Sequence, residues 1–348
     1  MSTTASRRTI LVEVRKDPVC ATMLDALADS CSLQGHNVVR WRGPLSGRMP
    51  YGRSLPVCDL AILFNGTHRS YRPVTARLQA WGSATLMVEL GWHPQAGHYQ
   101  IDSRGVNASA SWVREPLEVE GATPLPVRSC GDLLLLLQLD HDTQITEHSP
   151  SFANMEQLIR FVATASALPV RVRSHPKSPG NARLRTVVQE SGAEWDESPS
   201  LEESLTACRA VACVNSSAAV AAMAARLPVL CYGSAVYRQV GAVYCLDDEV
   251  AATHQATAEI ARGECSLIRE RVAASVDRIL SQQWTIADVP RRLPPLLDDL
   301  LSQTPTVVPQ FTSSDRIEQT IHWIADLPAR LLYRRRLRLR PPSSARID

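Results

Sequence analysis

Short apolar runs that alternate with helical segments constrain this chain more than any other feature. TILVEVR (9–15), NVVRWRG (37–43), DLAILFN (59–65) and ATLMVEL (84–90) each suit a buried strand. Helical stretches fall between them, from Pro18 to about Leu33 and from about Val74 to Trp81. A strand, a helix and a further strand in succession pair in parallel, with the helices covering the sheet. Residues 1–130 therefore predict one parallel α/β domain.

The pattern starts again at GDLLLLLQLDHD. Leu133 to Gln138 suits a fully buried strand, and SFANMEQLIRFVATASAL (151–168) has helical spacing behind a serine cap. A strand at 169–173, a helix near 181–191 and the strand AVACVN (210–215) follow. SSAAVAAMAARL then leads as a helix into PVLCYG (228–233). A short strand, AVYCL, and a helix from about Ser266 to Trp284 complete a second α/β domain over 131–285, leaving 286–348 as crossing helices and a basic tail. Two such units in tandem enclose a cleft, and ligands bind at the carboxyl ends of their strands.

Composition narrows the class without naming the chemistry. A chain of 348 residues with 45% apolar and 21% charged residues is an ordinary two-domain globular protein. Its net charge of +2 argues against a nucleic-acid partner. Nine cysteines with no C-x-x-C pair fit a reduced, cytoplasmic protein better than a disulfide framework. The first residues contain no apolar segment suited to secretion, and the longest apolar run, Leu133 to Leu137, is too short to span a bilayer. A glycosyltransferase, an epimerase and a periplasmic-type binder all remain compatible with these numbers.

Polar residues collect where the strands end. In RVRSHPKSPG (171–180), Val170 and Val172 point one way and Arg171 and Arg173 the other, until Pro176 stops the ladder. His175, Lys177 and Ser178 then stand at the strand mouth, as they would in an anion site or in a plain basic loop. Asn65-Gly66 ends another strand, either as a turn or as a close backbone approach to a ligand. Glu89 ends ATLMVEL and is either a candidate general base or a salt-bridged surface carboxylate. Gln138, Asp140, His141, Asp142 and His148 crowd one exit, where an aspartate can be a nucleophile, a ligand or a cap; the spacing matches no metal motif. Asn215 precedes Ser216-Ser217 at the start of an alanine-rich helix. Free N–H groups and small hydroxyl residues there admit a phosphate as readily as they cap the helix.

Taken together, His175-Pro176, Asn215-Ser216-Ser217 and LPVLCYGSAVY resemble the capsule polysaccharide glycosyltransferases, and within them the retaining β-Kdo transferases. Kdo is an eight-carbon keto-deoxy sugar acid carried on CMP. The resemblance spans about residues 60 to 285 and implies a GT-B-like fold of two Rossmann-type domains. LQLDHDTQI is similar to the family's Gln-x-x-x-Asp segment, which implies a substrate role for Gln138 and a nucleophile at Asp142. VELGWHPQ with IDSRGVN resembles its acidic segment in the first domain, which implies Glu89 as base. By the same resemblance His175, Pro176, Lys177, Asn215, Ser216, Ser217 and Tyr237 would hold the nucleotide, and Asn65 and Gly66 the substrate. The implied partners are a CMP-sugar and a glycan or glycolipid acceptor, with no cofactor and no metal. One position departs: Ala221 stands where many GT-B enzymes carry a ribose-binding glutamate. A CDP-alcohol glycerophosphotransferase would share the His-Pro and Ser-Ser features without needing Asp142, and a non-catalytic sugar-nucleotide binder would fit Ala221.

The end of the chain has a different character. Arg330, Arg334, Arg335, Arg336, Arg338 and Arg340 interleave with Leu331, Leu332, Tyr333, Leu337 and Leu339 behind Ile317, Ile321, Trp323 and Ile324. Such a basic amphipathic segment can lie on the anionic inner face of a membrane, making the protein peripheral there; a helix followed by a solvated tail fits the same residues.

Overall fold

The computed structural model describes residues 7–43, 55–146, 148–149, 151–179 and 181–304. The arginine-rich tail lies outside them. Among the described residues no helix is long and apolar enough to cross a membrane.

Strands β1 (Thr9–Glu13), β2 (Asn37–Trp41), β3 (Leu60–Phe64), β4 (Ala84–Leu90) and β5 (Tyr99–Asp102) form one sheet in the order β2-β1-β3-β4-β5. The first four are parallel. β5, which apolar patterning did not reveal, adds antiparallel to β4 with Glu89 opposite Gln100. The chain turns from β1 through α1 (Pro18–Leu33), which opens on Pro18 behind Asp17; the Asp17 carboxylate accepts from the amides of Val19 and Cys20. α2 (Arg72–Trp81) closes on Gly82 in the left-handed conformation (φ 73°).

The second sheet holds β6 (Leu133–Leu136), β7 (Val170–Arg173), β8 (Glu194–Trp195), β9 (Ala210–Cys213), β10 (Val229–Cys231) and β11 (Tyr244–Cys245), all parallel, in the order β11-β10-β9-β6-β7-β8. Its helices are α3 (Thr143–Thr146), α4 (Met155–Ala165), α5 (Ala182–Glu190), α6 (Leu201–Ala207), α7 (Ala218–Ala224) and α8 (Val250–Ala261). The cap of α4 is Asn154 and not the serine expected upstream, because its side chain reaches the Gln157 amide at 2.9 Å. In β7, Val170 and Val172 enter the core. Arg171 and Arg173 turn to the other face, where both pair with the buried carboxylate of Asp196 at 2.7 Å.

Each sheet is covered on both faces. α4, α5 and α8 pack on one side of the second sheet, and α7 with α9 (Arg269–Gln282) on the other. α10 (Val289–Ser302) crosses back to lie beside α1 on the first sheet through Val289, Leu293, Leu297 and Leu301. Burying a side chain of that size contributes about 1.5–3 kcal/mol, so this helix ties the end of the described chain to its beginning.

The two strand orders determine where ligands can enter. In the first sheet the winding reverses between β1 and β3, and in the second between β6 and β9. At such a point the loops diverge to opposite faces and leave a crevice beyond the carboxyl ends of the strands.

Candidate functional site

The second reversal point is closed by a reciprocal pair of amides. Gln138, just past β6, donates to Asn215 Oδ1 at 2.8 Å and accepts from the Asn215 amide at 3.2 Å. Asn215 is buried, and its Nδ2 also donates to the carbonyls of Ser234 (3.2 Å) and His148 (3.4 Å). The two residues lock the ends of β6 and β9 together, so they shape the crevice floor. Replacing Gln138 with Leu removes both hydrogen bonds that it makes to the buried Asn215. The expected cost is about 1–3 kcal/mol, read from the denaturant midpoint at unchanged slope.

On that floor Asp142 heads the short helix α3, its backbone carbonyl accepting from the amides of Ile145 (3.0 Å) and Thr146 (2.9 Å). Asp140, from the same crowded exit, spends Oδ1 on the Met155 amide at 2.7 Å and so fixes the start of α4. Among the described residues no cluster of His, Cys, Asp and Glu is arranged to hold a metal ion.

His175 and Lys177 follow β7. The Lys177 amide donates to His175 Nδ1 at 3.1 Å, which makes Nδ1 the acceptor and leaves Nε2 to carry the ring proton. Burial and then the Lys177 charge push the imidazole pKa down, against an opposing pull from Asp142. A neutral imidazole that keeps its proton on Nε2 is a donor for an anion. Pro176 is exposed and sets the turn without offering a donor.

The helix start beyond β9 is less open to anions than its sequence suggests. Ser216 Oγ accepts from Ala218 (3.3 Å), and the amides of Ala219 and Val220 close on the carbonyls of Ser216 and Ser217. α7 then runs for only 7 residues, so its dipole is short. Ser217 makes no side-chain capping bond. Tyr237 is 1% exposed, and its hydroxyl donates to the Ser216 carbonyl at 2.8 Å. It braces the turn that carries Ser216. Ala221 faces the apolar core, so the position that often carries a ribose-binding glutamate offers no polar group to a ligand.

From the first sheet, Glu89 at the end of β4 meets this constellation. Its Oε1 accepts from the Leu90 amide at 2.9 Å. Burial raises its pKa to about 7, helped by the charge of Asp142 and opposed by the Leu90 amide, Arg15 and Lys177. Those couplings put Glu89 of one sheet within electrostatic reach of Asp142 and Lys177 of the other. Lys177 also lowers the pKa of Asp17, the cap of α1, after the larger effect of the Cys20 amide. The strand ends of both sheets therefore face each other across a charged cleft.

Asn65 and Gly66 follow β3 beside the end of β4. Asn65 takes the left-handed conformation (φ 54°), and its amide donates to the Val88 carbonyl at 2.7 Å. A Cβ on Gly66 would come within 2.2 Å of Met87 Sδ, so packing against β4 accounts for the glycine. Gly66 lines a cavity of about 440 Å³ with Thr67, Arg72 and Arg104, and the second sheet contributes nothing to its walls.

Two features were missed in the sequence. Gln283, where the chain returns from α9, accepts from the amides of Trp92 (2.6 Å) and His93 (3.0 Å) and donates to the His93 carbonyl (3.0 Å). Trp92 itself enters the core of the second sheet and meets Trp112 edge-on at 5.6 Å. The segment three residues past Glu89 is thus anchored in the other half of the molecule. The second feature is a buried ion pair at the end of β1, taken up below. A lone glutamine carries no sequence signal for such a clamp.

Residues 123–262, less than half of the chain, match the model of a family described as capsule polysaccharide biosynthesis protein. No curated protein matches the chain. Among solved structures, the β-Kdo 2,4-transferase of KpsC from Thermosulfurimonas dismutans aligns with a TM-score of 0.50 at 13% identity, over 85% of this chain and 99% of that one. The fold is GT-B. The β-Kdo 2,7-transferase of the same KpsC aligns at 0.46 and 12% identity, over 84% and 99%. A glycosyltransferase from Rickettsia africae aligns at 0.44 and 10% identity, over 85% and 99%. At these identities the likeness is one of architecture. The GT-B frame accounts for the two facing sheets and the crossing of α10, and the matched segment contains Gln138, Asp142, His175, Asn215, Ser216 and Ser217.

Proposed function

We propose that this protein is a glycosyltransferase of bacterial surface polysaccharide synthesis that transfers Kdo from CMP-Kdo with retention of configuration. The observation that supports the reading is a carboxyl group on each sheet within electrostatic reach of the other, with burial pushing Glu89 up to about 7. In this reading the unit over 131–285 holds the sugar nucleotide and the unit over 1–130 receives the acceptor.

The Asp142 carboxylate attacks the anomeric carbon, and the bond from that carbon to the phosphate oxygen breaks. CMP leaves with the electron pair, and a sugar is esterified to Asp142. The acceptor hydroxyl then gives its proton to Glu89 and attacks the same carbon, and the Asp142 carboxylate is released. Two inversions restore the starting configuration. His175 Nε2, Lys177 and the Ser216 and Ser217 hydroxyls stabilise the departing phosphate. With no glutamate at Ala221, the ribose is held by other groups.

The assignment of the phosphate loop is tested with His175→Ala. Loss of one charge-assisted contact costs about 1.5–3 kcal/mol, so CMP binds roughly tenfold more weakly or worse by titration calorimetry. An unchanged CMP affinity would return residues 174–179 to the role of a basic surface loop.

A further inference from the structure

The first reversal point, between β1 and β3, is built around a charged group that the scheme above leaves unused. Glu13 at the end of β1 is fully buried, and Oε2 accepts from the Phe64 amide at the end of β3 at 2.9 Å. Its Oε1 accepts from the Tyr71 hydroxyl and from Arg15 Nη1, the latter at 3.2 Å. Gly43 leaves Glu13 its room, since a Cβ there would come within 2.6 Å of Oε1. Arg15 Nη1 also donates to Tyr71 at 3.2 Å, and the guanidinium lies over the Phe64 ring at 5.6 Å. One end of the guanidinium is thus clamped. Among the described residues Nε and Nη2 carry no hydrogen bond, and the side chain keeps 16% of its surface exposed.

A buried carboxylate is costly, and here it holds one arginine rigidly where an open α/β sheet receives its ligand. The free edge of a guanidinium matches the two oxygens of a carboxylate. The cleft also needs such a cation. Glu89 and Asp142 both repel an acid, and Arg15 on the first-sheet side and Lys177 on the second are cations whose charge reaches Glu89. Lys177 sits with the phosphate loop, and Arg15 follows β1 on the first-sheet wall. We propose that Arg15 is a substrate-binding residue that takes the carboxylate of a sugar acid in the cleft, with Glu13, Tyr71 and Phe64 fixing its orientation. This rests on the glycosyltransferase reading but names a contact outside the nucleotide.

The test compares wild type, Arg15→Lys and Arg15→Gln as full-length chains. Four probes are used: CMP, CMP-Kdo (as the KM of donor hydrolysis), the methyl glycoside of Kdo as an acceptor-like acid, and the neutral methyl ester of that glycoside. R15Q should bind CMP as wild type does, which also reports an intact second sheet, and should lose about tenfold or more against one of the two acids. A rise in the CMP-Kdo KM puts the carboxylate on the donor; weaker binding of the glycoside acid alone, with its ester unaffected, puts it on the acceptor. R15K keeps the charge beside Glu13 but loses the fork, and should fall between. The proposal is overturned if R15Q handles both acids as wild type does, or weakens acid and ester alike. Failure of wild type to bind CMP would instead overturn the glycosyltransferase reading.

Discussion

Asp142→Asn abolishes transfer while leaving CMP affinity within a few-fold of wild type. The substitution keeps the shape and the backbone of the turn. Since the carbonyl of Asp142, which asparagine retains, accepts from Ile145 and Thr146, α3 stays in place. What is lost is the anionic oxygen that forms the bond to the anomeric carbon. A nucleophile acts in the transition state far more than in the ground state, so turnover falls by about 10⁴-fold or more while nucleotide binding is spared. Steady-state CMP release and calorimetry on the same preparation measure the two quantities. Equal loss of binding and turnover would make Asp142 a structural residue of the crevice.

Glu89→Gln is expected to cost about 10²–10⁴-fold in transfer, the usual contribution of a general base. Its signature is the pH profile. Below a pKa of about 7 Glu89 is protonated and cannot accept a proton, so wild-type transfer rises through that pH. In E89Q this limb disappears. Stability moves the opposite way. The folded protein holds this proton more tightly than the unfolded chain, whose glutamates titrate near 4.5. The contribution of Glu89 to stability therefore falls as pH rises from about 4.5 to about 7. Glutamine carries no such penalty. E89Q should melt above wild type at pH 8 and level with it at pH 4, by calorimetric scans in matched buffers. A variant that is inactive and also less stable at pH 8 would assign Glu89 a structural role.

The parts of this fold that the sequence makes legible are those written in local chemistry. A run such as LAILF has few alternatives to a buried strand, and Pro18 behind Asp17 marks a helix start. β5 and β8 escape the same reading: the first is an edge strand whose partner runs the other way, and the second has two residues. Strand order is a property of pairing between distant residues and has no local signature.

The site divides along the same line. Strand ends announce themselves by the change from apolar to polar residues, which is why Glu89, Asp142 and His175 stand out. What each neighbour does with its polar atoms is set by partners far along the chain. Gln138 and Asn215 are 77 residues apart, and no local pattern announces that they bond to each other. Tyr237 reads as a nucleotide contact until its burial under Ser216 is seen. Arg15 ends the run TILVEVR with no local mark of a site, because the partner that positions it, Tyr71, lies 56 residues away.

The central claim is the covalent step at Asp142, and intact-protein mass spectrometry measures it directly. Wild type is incubated with CMP-Kdo without acceptor, quenched in acid and weighed, and the modified peptide is then sequenced. A mass increase of one Kdo residue, placed on Asp142 and absent from D142N, is the expected result. CMP release by wild type with no adduct at any time, or an adduct that persists in D142N, would contradict it.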